Sequence, residues 1–375
     1  MKKLLAIVLA LVLVCSMTAV AFADGEPLHF EIVSKGFQHQ YWQAVLKGSQ
    51  EKAEELGVTI NFVGPANESA YDEQLSQLNS AIAAKPAAIG LAALSTETCL
   101  DAIATAQAAG IPIIGFDSGV PGAPEGAIWA NAATNNYNAG AMAAEKVYEA
   151  VAARIAAAEG SVRIGVSAQD NVSDSVVSRG LGFIDKFAEL CAADGYTVKL
   201  EGDAAYVNGA NVTSDDAGKV IIETLVPAQV TSELSLIDCN TLMSKEDTIA
   251  IYGSNQHSAE AIISANENLQ VLGTGENDII GAGFDSGAVI KAAVADGTLF
   301  GAITQAPVAM GAALVELCYN AATGGEVSDV DTGCSGTPQR IWTILRSLRT
   351  STTDPILVEY LQDAFGRPVF ISFQI

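Results

Sequence analysis

The densest aromatic cluster of the chain is Ser34-Lys35-Gly36-Phe37-Gln38-His39-Gln40-Tyr41-Trp42, with polar side chains interleaved. Aromatic residues make up only 6% of the sequence, so the clustering carries information. Further along, polar residues follow short apolar runs: Asp117-Ser118, Thr134-Asn135-Asn136, Ser167-Ala168-Gln169-Asp170, Gly253-Ser254-Asn255-Gln256, Asp285-Ser286 and Gln305. Ser178-Arg179-Gly180 adds a guanidinium. Aromatic faces combined with amides, carboxylates and a guanidinium suit a neutral polyol. Its C–H faces stack on Trp or Tyr, while bidentate polar groups satisfy its hydroxyls. Taken singly, each polar residue has a plainer explanation as a helix N-cap or turn former, and Tyr41 and Trp42 fit a helix core. The repetition after one run and then another is what favours a site.

Catalysis finds little support. The chain has three histidines, His29, His39 and His257. It contains no GxSxG, HExxH, P-loop or Rossmann glycine fingerprint. Asp117 and Asp285 are a conceivable carboxylate pair for glycoside hydrolysis, but matched aspartates also serve hydroxyl capture. No catalytic residue, metal ligand set or cofactor is expected.

The elements that must carry these residues alternate two textures. Apolar runs are Phe30-Glu31-Ile32-Val33, Thr59-Ile60-Asn61-Phe62-Val63, Ala88-Ile89-Gly90-Leu91, Ile111-Pro112-Ile113-Ile114-Gly115-Phe116 and residues 128–133. A second series comprises Val162-Arg163-Ile164-Gly165-Val166, residues 196–200, Thr248-Ile249-Ala250-Ile251-Tyr252, residues 279–284 and residues 300–304. Helical stretches lie between, clearest at 42–56 and 138–158. A strand–helix unit about every 25–30 residues marks βαβ construction. Runs apolar throughout fit strands buried on both faces. Two such series predict an α/β fold of two doubly wound parallel-sheet domains joined by a multi-strand hinge. Ligands of such sheets bind beyond the carboxyl ends of the strands, where the polar residues lie.

A length of 375 residues suits two domains. A net charge of -24 argues against nucleic acid or an anionic membrane surface as partner. Met1-Lys2-Lys3, the apolar residues 4–14 and Ala21-Phe22-Ala23 read as a secretory signal over 1–23, with Asp24 as the new N-terminus. Lipid anchoring at Cys15 is the alternative, although Val14 stands where a small residue is favoured. The mature protein is expected to be periplasmic or at the cell surface. Its cysteines, Cys99, Cys191, Cys239, Cys318 and Cys334, are odd in number and irregularly spaced. That is no disulfide framework; buried apolar roles are expected, with a Cys191–Cys239 bridge left open.

In order and spacing, several motifs resemble the ribose/galactose-type periplasmic sugar-binding proteins, the type I solute-binding subunits of bacterial ABC transporters. They are the aromatics followed by Leu46-Lys47-Gly48; Ile113-Ile114-Gly115-Phe116-Asp117; Ser178-Arg179-Gly180-Leu181-Gly182-Phe183; Ser254-Asn255-Gln256; Gly283-Phe284-Asp285; and Ile303-Thr304-Gln305-Ala306-Pro307. The resemblance covers residues 28–334. It implies stacking by Tyr41 and Trp42 beside His39, hydroxyl capture by Asp117, and an amide contact from Asn136. Arg179, Asn255, Asp285 and Gln305 match second-domain and hinge ligands.

It further implies a first domain of 27–134 plus 306–332 and a second of 135–305 plus residues after 333. The crossings fall near Ala133-Thr134, Gln305 and Asp331-Thr332-Gly333. The implied function is capture of a monosaccharide or similar polyol and delivery to an ABC permease, by a monomer. The alternative is presentation of the ligand to a chemoreceptor or histidine kinase. A DNA-binding relative would carry a headpiece where the signal stands. Ser118 replaces an Arg common in ribose-type proteins, His39-Gln40 replace an Asn-Pro-like pair, and residues 203–214 do not align cleanly. Ribose itself is therefore the weaker ligand choice.

Residues 335–375 break the pattern, with four arginines, no lysine and three acidic residues in an otherwise acidic chain. Ser335-Gly336-Thr337-Pro338-Gln339-Arg340-Ile341-Trp342 reads as a poor strand. Residues 335–354 can be back-translated so that one added base yields QWYTAENMDDPEIAPNLYD and then a stop. The tail is accordingly expected to be a frameshifted, non-native segment. Resequencing the gene tests this: a base missing near the Cys334 codon is expected, and an intact frame through Ile375 refutes it.

Overall fold

The computed structural model describes residues 27–37, 39–336, 361–362 and 368–369. The expected leader, Gln38 and nearly all of the tail beyond 336 lie outside the described residues. In chain order the elements are β1 (His29–Val33), α1 (Gln40–Leu56), β2 (Thr59–Val63), α2 (Tyr71–Ala84), β3 (Ala88–Leu91), α3 (Leu100–Ala108), β4 (Ile113–Phe116) and β5 (Ile128–Ala133). There follow α4 (Asn136–Ala157), β6 (Val162–Ser167), α5 (Asp174–Ala193), β7 (Val198–Gly202), α6 (Ala204–Gly209), β8 (Val220–Leu225), α7 (Ser232–Met243), β9 (Thr248–Gly253) and α8 (Gln256–Leu269). The last are β10 (Ile280–Phe284), α9 (Ala288–Asp296), β11 (Gly301–Gln305), α10 (Pro307–Thr323), β12 (Val330–Asp331), β13 (Cys334–Gly336), β14 (Leu361–Gln362) and β15 (Pro368–Val369).

Strands β1 to β13 form two sheets, and among the described residues β14 pairs only with β15, antiparallel. Of the two sheets, one has the order β12-β5-β4-β3-β1-β2 and the other β13-β11-β10-β9-β6-β8-β7. All pairings within them are parallel except β11 with β13. The inner strands β3, β4, β6, β9 and β10 are buried along their whole length, as helices on both faces require. The chain passes from the first sheet to the second after β5, returns after β11, and crosses again between β12 and β13.

Two helix pairs pack unusually close, one in each half. A Cβ on Gly48 of α1 would lie 2.0 Å from the Val308 carbonyl oxygen, and one on Gly311 of α10 would lie 2.1 Å from that of Val45. Likewise Gly140 of α4 and Gly182 of α5 each leave no room for a methyl against the facing backbone, at 2.0 Å. These contacts fix the two helices, α1 and α5, whose first turns face the gap between the sheets.

The apolar series read from the sequence lacks one strand. Val220–Leu225 is β8, the direct parallel partner of β6. The polar stretch before it, residues 203–219, stretches the usual spacing between units and hid a run rich in β-branched residues. β7 is thereby moved outward to the edge, and β7 with α6 has no counterpart in the first sheet. Ser335 and Gly336, the first two residues of the segment expected to make a poor strand, do pair with β11 together with Cys334, while 337–342 lie outside the described residues. The five described cysteines are all free, so the Cys191–Cys239 bridge is not formed. Each of those two is packed among apolar side chains, in different core clusters.

At the end of the second sheet away from the gap, Arg163 joins three carboxylates. It donates to Glu223 at 2.6 Å, Glu201 at 2.8 Å and Asp247 at 3.0 Å. Lys245 donates to Glu223 as well. Removing Arg163 leaves carboxylates facing one another with Glu223 mostly buried. Arg163→Met is expected to lower the unfolding free energy by about 3 kcal/mol. Urea denaturation followed by circular dichroism checks this, and an unchanged midpoint would mean that solvent already screens the cluster.

Candidate functional site

Residues after the carboxyl ends of both sheets converge on one small cavity. It is lined by Lys35, His39, Tyr41, Trp42, Glu68 and Asp117 from the first half. Ser175, Val176, Arg179, Asn255, Gln256, Asp285 and Gln305 close it from the other. The enclosed space is about 30 Å³, room for a water or two rather than a sugar ring.

The two strand-end aspartates are equivalent in backbone as well as position. Asp117 follows β4 with φ 58° and Asp285 follows β10 with φ 70°. Left-handed backbone is uncommon outside glycine, although Asp tolerates it better than most residues. It turns each carboxylate out of its sheet. Tyr41 donates to Asp117 Oδ1 at 2.7 Å, and Lys35 Nζ stands 3.6 Å from Oδ2. Gln305 donates to Asp285 Oδ1 at 2.8 Å, and the Gln256 N–H to Oδ2 at 3.2 Å.

The other side chains hold one another in place. Arg179 lies over the Phe284 ring, 4.1 Å from its centroid, and donates through Nε to Asn136 Oδ1 at 2.8 Å. Asn136 in turn donates to the Asp117 carbonyl at 3.3 Å. Asn255 caps α8 through the Ser258 N–H and also donates to Gln169 Oε1 at 2.7 Å. Asn255 is thus both the cap of α8 and part of the cavity wall. Gln305 accepts from Thr134 at 3.0 Å, joining two of the crossing segments.

Bonds also run directly between the halves. Lys35 donates to Ser173 at 2.8 Å, Gln169 to Glu68 at 3.1 Å, and the Gly119 N–H to Asp174 at 3.3 Å. Ser118, at the position expected to carry Arg in ribose-type proteins, accepts from the Ser175 N–H at 3.2 Å.

Eight of the nine expected site residues line the cavity: His39, Tyr41, Trp42, Asp117, Arg179, Asn255, Asp285 and Gln305. Asn136 stands behind them as the link between Arg179 and Asp117. Trp42 is 2% exposed, edge-on to Phe116 at 6.2 Å, and donates to Glu68 at 2.8 Å. It is as much a core residue as a wall. His39 Nε2 stands 4.0 Å from Glu68 Oε1, and its ring meets that of His257 edge-on at 6.4 Å. Sequence reasoning missed Glu68, Ser175 and Val176 as wall residues, and quoted Lys35 and Gln256 without assigning them. Glu68 follows the second apolar run, whose end, like those of Ala88–Leu91 and residues 196–200, contributed no residue to the expected site. Ser175 and Val176 precede Arg179 by four and three residues, on the same face of α5. Among the described residues no group of three or more His, Cys, Asp or Glu is placed to hold a metal ion.

The family described as "Periplasmic binding protein domain" matches residues 30–326. A Brachyspira murdochii protein, described as an ABC transporter, LacI family transcriptional regulator, is 32% identical with a TM-score of 0.70, covering 86% of this chain and 98% of its own. An Agrobacterium vitis ABC transporter solute binding protein with bound D-fucose is 25% identical with a TM-score of 0.68, covering 84% and 96%. The D-apiose import binding protein of Actinobacillus succinogenes is 28% identical over 149 residues, 40% of this chain. The chain thus spans only 46% of the length of that curated relative.

Two buried carboxylates respond to their surroundings with opposite sign. Burial pushes the Asp285 carboxyl above the ordinary aspartate range, and Arg179 and Gln305 only partly offset it. Burial also opposes the charge on Glu68, but Lys35, His39 and hydrogen bonds from Trp42 and Gln169 outweigh it and hold its carboxyl below the ordinary range. Asp285 binds its proton more tightly folded than unfolded, so its ionisation weakens folding as pH rises through and above the ordinary range. Glu68 binds its proton less tightly folded, so it contributes stability above the ordinary range that is lost as pH falls. At neutral pH, Asp285→Asn is expected to raise the melting temperature of the ligand-free protein. Glu68→Gln is expected to lower stability by about 1–2 kcal/mol. Calorimetry across pH checks both, and shifts of the same sign would refute the assignment.

Proposed function

Because the chain belongs to the periplasmic binding protein domain family, we propose that it captures a monosaccharide or similar polyol between its two halves and delivers it to an ABC permease. The observation that carries this reading is the cavity itself. Carboxylates from each half, Asp117 and Asp285, stand among aromatic and amide walls with two cations, Lys35 and Arg179. Both cations already have protein partners, Ser173 and Asp117 for one and Asn136 for the other. The side-chain acceptors therefore favour a neutral ligand that donates hydroxyls over an acidic one. The relatives that carry D-fucose or import D-apiose are consistent with a small neutral sugar.

The protein acts by binding and not by turnover. The ligand enters when the two halves part about the three crossings, and they close because it touches both. The domains take residues 27–134 with 306–332, and 135–305 with residues after 333. The chain is exported by its leader and works as a monomer outside the cytoplasmic membrane. No described helix is long and apolar enough to cross a membrane.

A thermal-shift screen of the protein against D-fucose, D-apiose, D-galactose, D-ribose, myo-inositol and nucleosides tests the reading. A sugar at a hundred times its dissociation constant adds about 2.7 kcal/mol of stability. At least one strong upward shift is expected among the sugars and inositol. A cooperative melt that none of them moves would overturn it.

A further inference from the structure

The turn from β9 into α8 holds a polar group that the network above leaves unused. Gln256 lines the cavity and is 6% exposed. Its Nε2 donates to Glu260 Oε1 at 2.8 Å, one turn further along α8. Its Oε1 is buried with no hydrogen-bond partner. A carboxylate only accepts, so Glu260 decides which end of the amide is which. Nε2 turns to Glu260, and Oε1 is left as a fixed acceptor. The Gln256 N–H bond to Asp285 keeps this residue beside the second-half carboxylate. Gly287 makes room for the amide, since a Cβ there would lie 2.6 Å from Nε2.

We propose that Gln256 is a further specificity-determining contact, whose Oε1 accepts a hydroxyl of the bound sugar, and that Glu260 is its positioning residue. The proposal rests on the sugar-capture reading and adds one contact to it. An unpaired buried acceptor is unfavourable, so a hydroxyl reaching it is rewarded and a deoxy or methyl group there is rejected. The ligand is thus a sugar carrying adjacent hydroxyls toward the second half, one for Asp285 and one for Gln256.

The test is titration calorimetry of the full chain with D-fucose, D-galactose, D-apiose and D-ribose. Gln256→Leu is expected to weaken the best-bound sugar by about ten-fold or more, while the melting temperature without sugar does not fall. Glu260→Leu frees the amide to reverse and is expected to narrow the preference among the four sugars. Glu260→Gln still accepts from Nε2 and is expected to retain the wild-type order. If Gln256→Leu melts early, Gly287→Ala displaces the amide without deleting it and is expected to weaken the same sugar. Wild-type binding that both Gln256→Leu and Gly287→Ala match within two-fold overturns the proposal and leaves sugar capture intact. A wild type that binds none of the four overturns this contact and counts against the broader reading.

Discussion

Two aspartates held in left-handed backbone set the terms for the rest of the molecule. Asp117 and Asp285 each follow a buried phenylalanine at the end of an inner parallel strand. A bulky residue would adopt that backbone only with strain, and even Asp needs support from its surroundings to keep it. The support is visible. The Asp117 N–H donates to the Ala132 carbonyl at 3.2 Å, and that of Asp285 to Ile303 at 2.7 Å. Each phenylalanine also backs a wall of the cavity, Phe116 against Trp42 and Phe284 beneath Arg179. A strand end, a ring and a carboxylate thus form one unit, built once in each sheet.

Around this matched pair the halves differ. The second sheet carries an extra edge, β7 with α6, and its purpose is legible in one side chain. Tyr206 of α6 is fully buried and donates to the Asp170 carbonyl at 2.8 Å. Its ring occupies the space that a methyl on Gly180 would fill, 2.3 Å from that Cβ position. Asp170 Oδ1 then accepts from the Val172 and Ser173 N–H groups. The segment that reaches across to Lys35 and Glu68 is therefore braced from behind by the one element the first half lacks.

Much of this was readable before any coordinates. Strand burial on both faces makes parallel strands apolar throughout, and the polar residues that interrupt such runs fall at their ends. Asp117, Asn255 and Asp285 were legible for that reason. Glu68 was not, because it lies five residues beyond the end of β2, in the loop before α2 and not directly at a strand end. The double duty of Trp42 was also out of reach, since a stacking wall and a buried indole share one sequence pattern. β8 was concealed by the inserted α6 segment, which broke the regular spacing on which the series depended. The glycines of Leu46-Lys47-Gly48 and Leu181-Gly182-Phe183 were quoted as motif members. Only the packed helices reveal that backbone approach is what demands them.

The three crossings between the sheets bear on kinetics as well as on shape. In the proposed function, a ligand held first by one half does not wait for its second partner to diffuse from solution. The other half is tethered nearby at a high effective concentration, so completing the grip is a unimolecular step. Release must reverse that step before either half can let go alone. Residence time is then governed by how often the connecting segments open, including the Thr134–Gln305 bond that links two of them. On that reading, substitutions far from the cavity can retune dwell time while leaving the complementarity of its walls untouched.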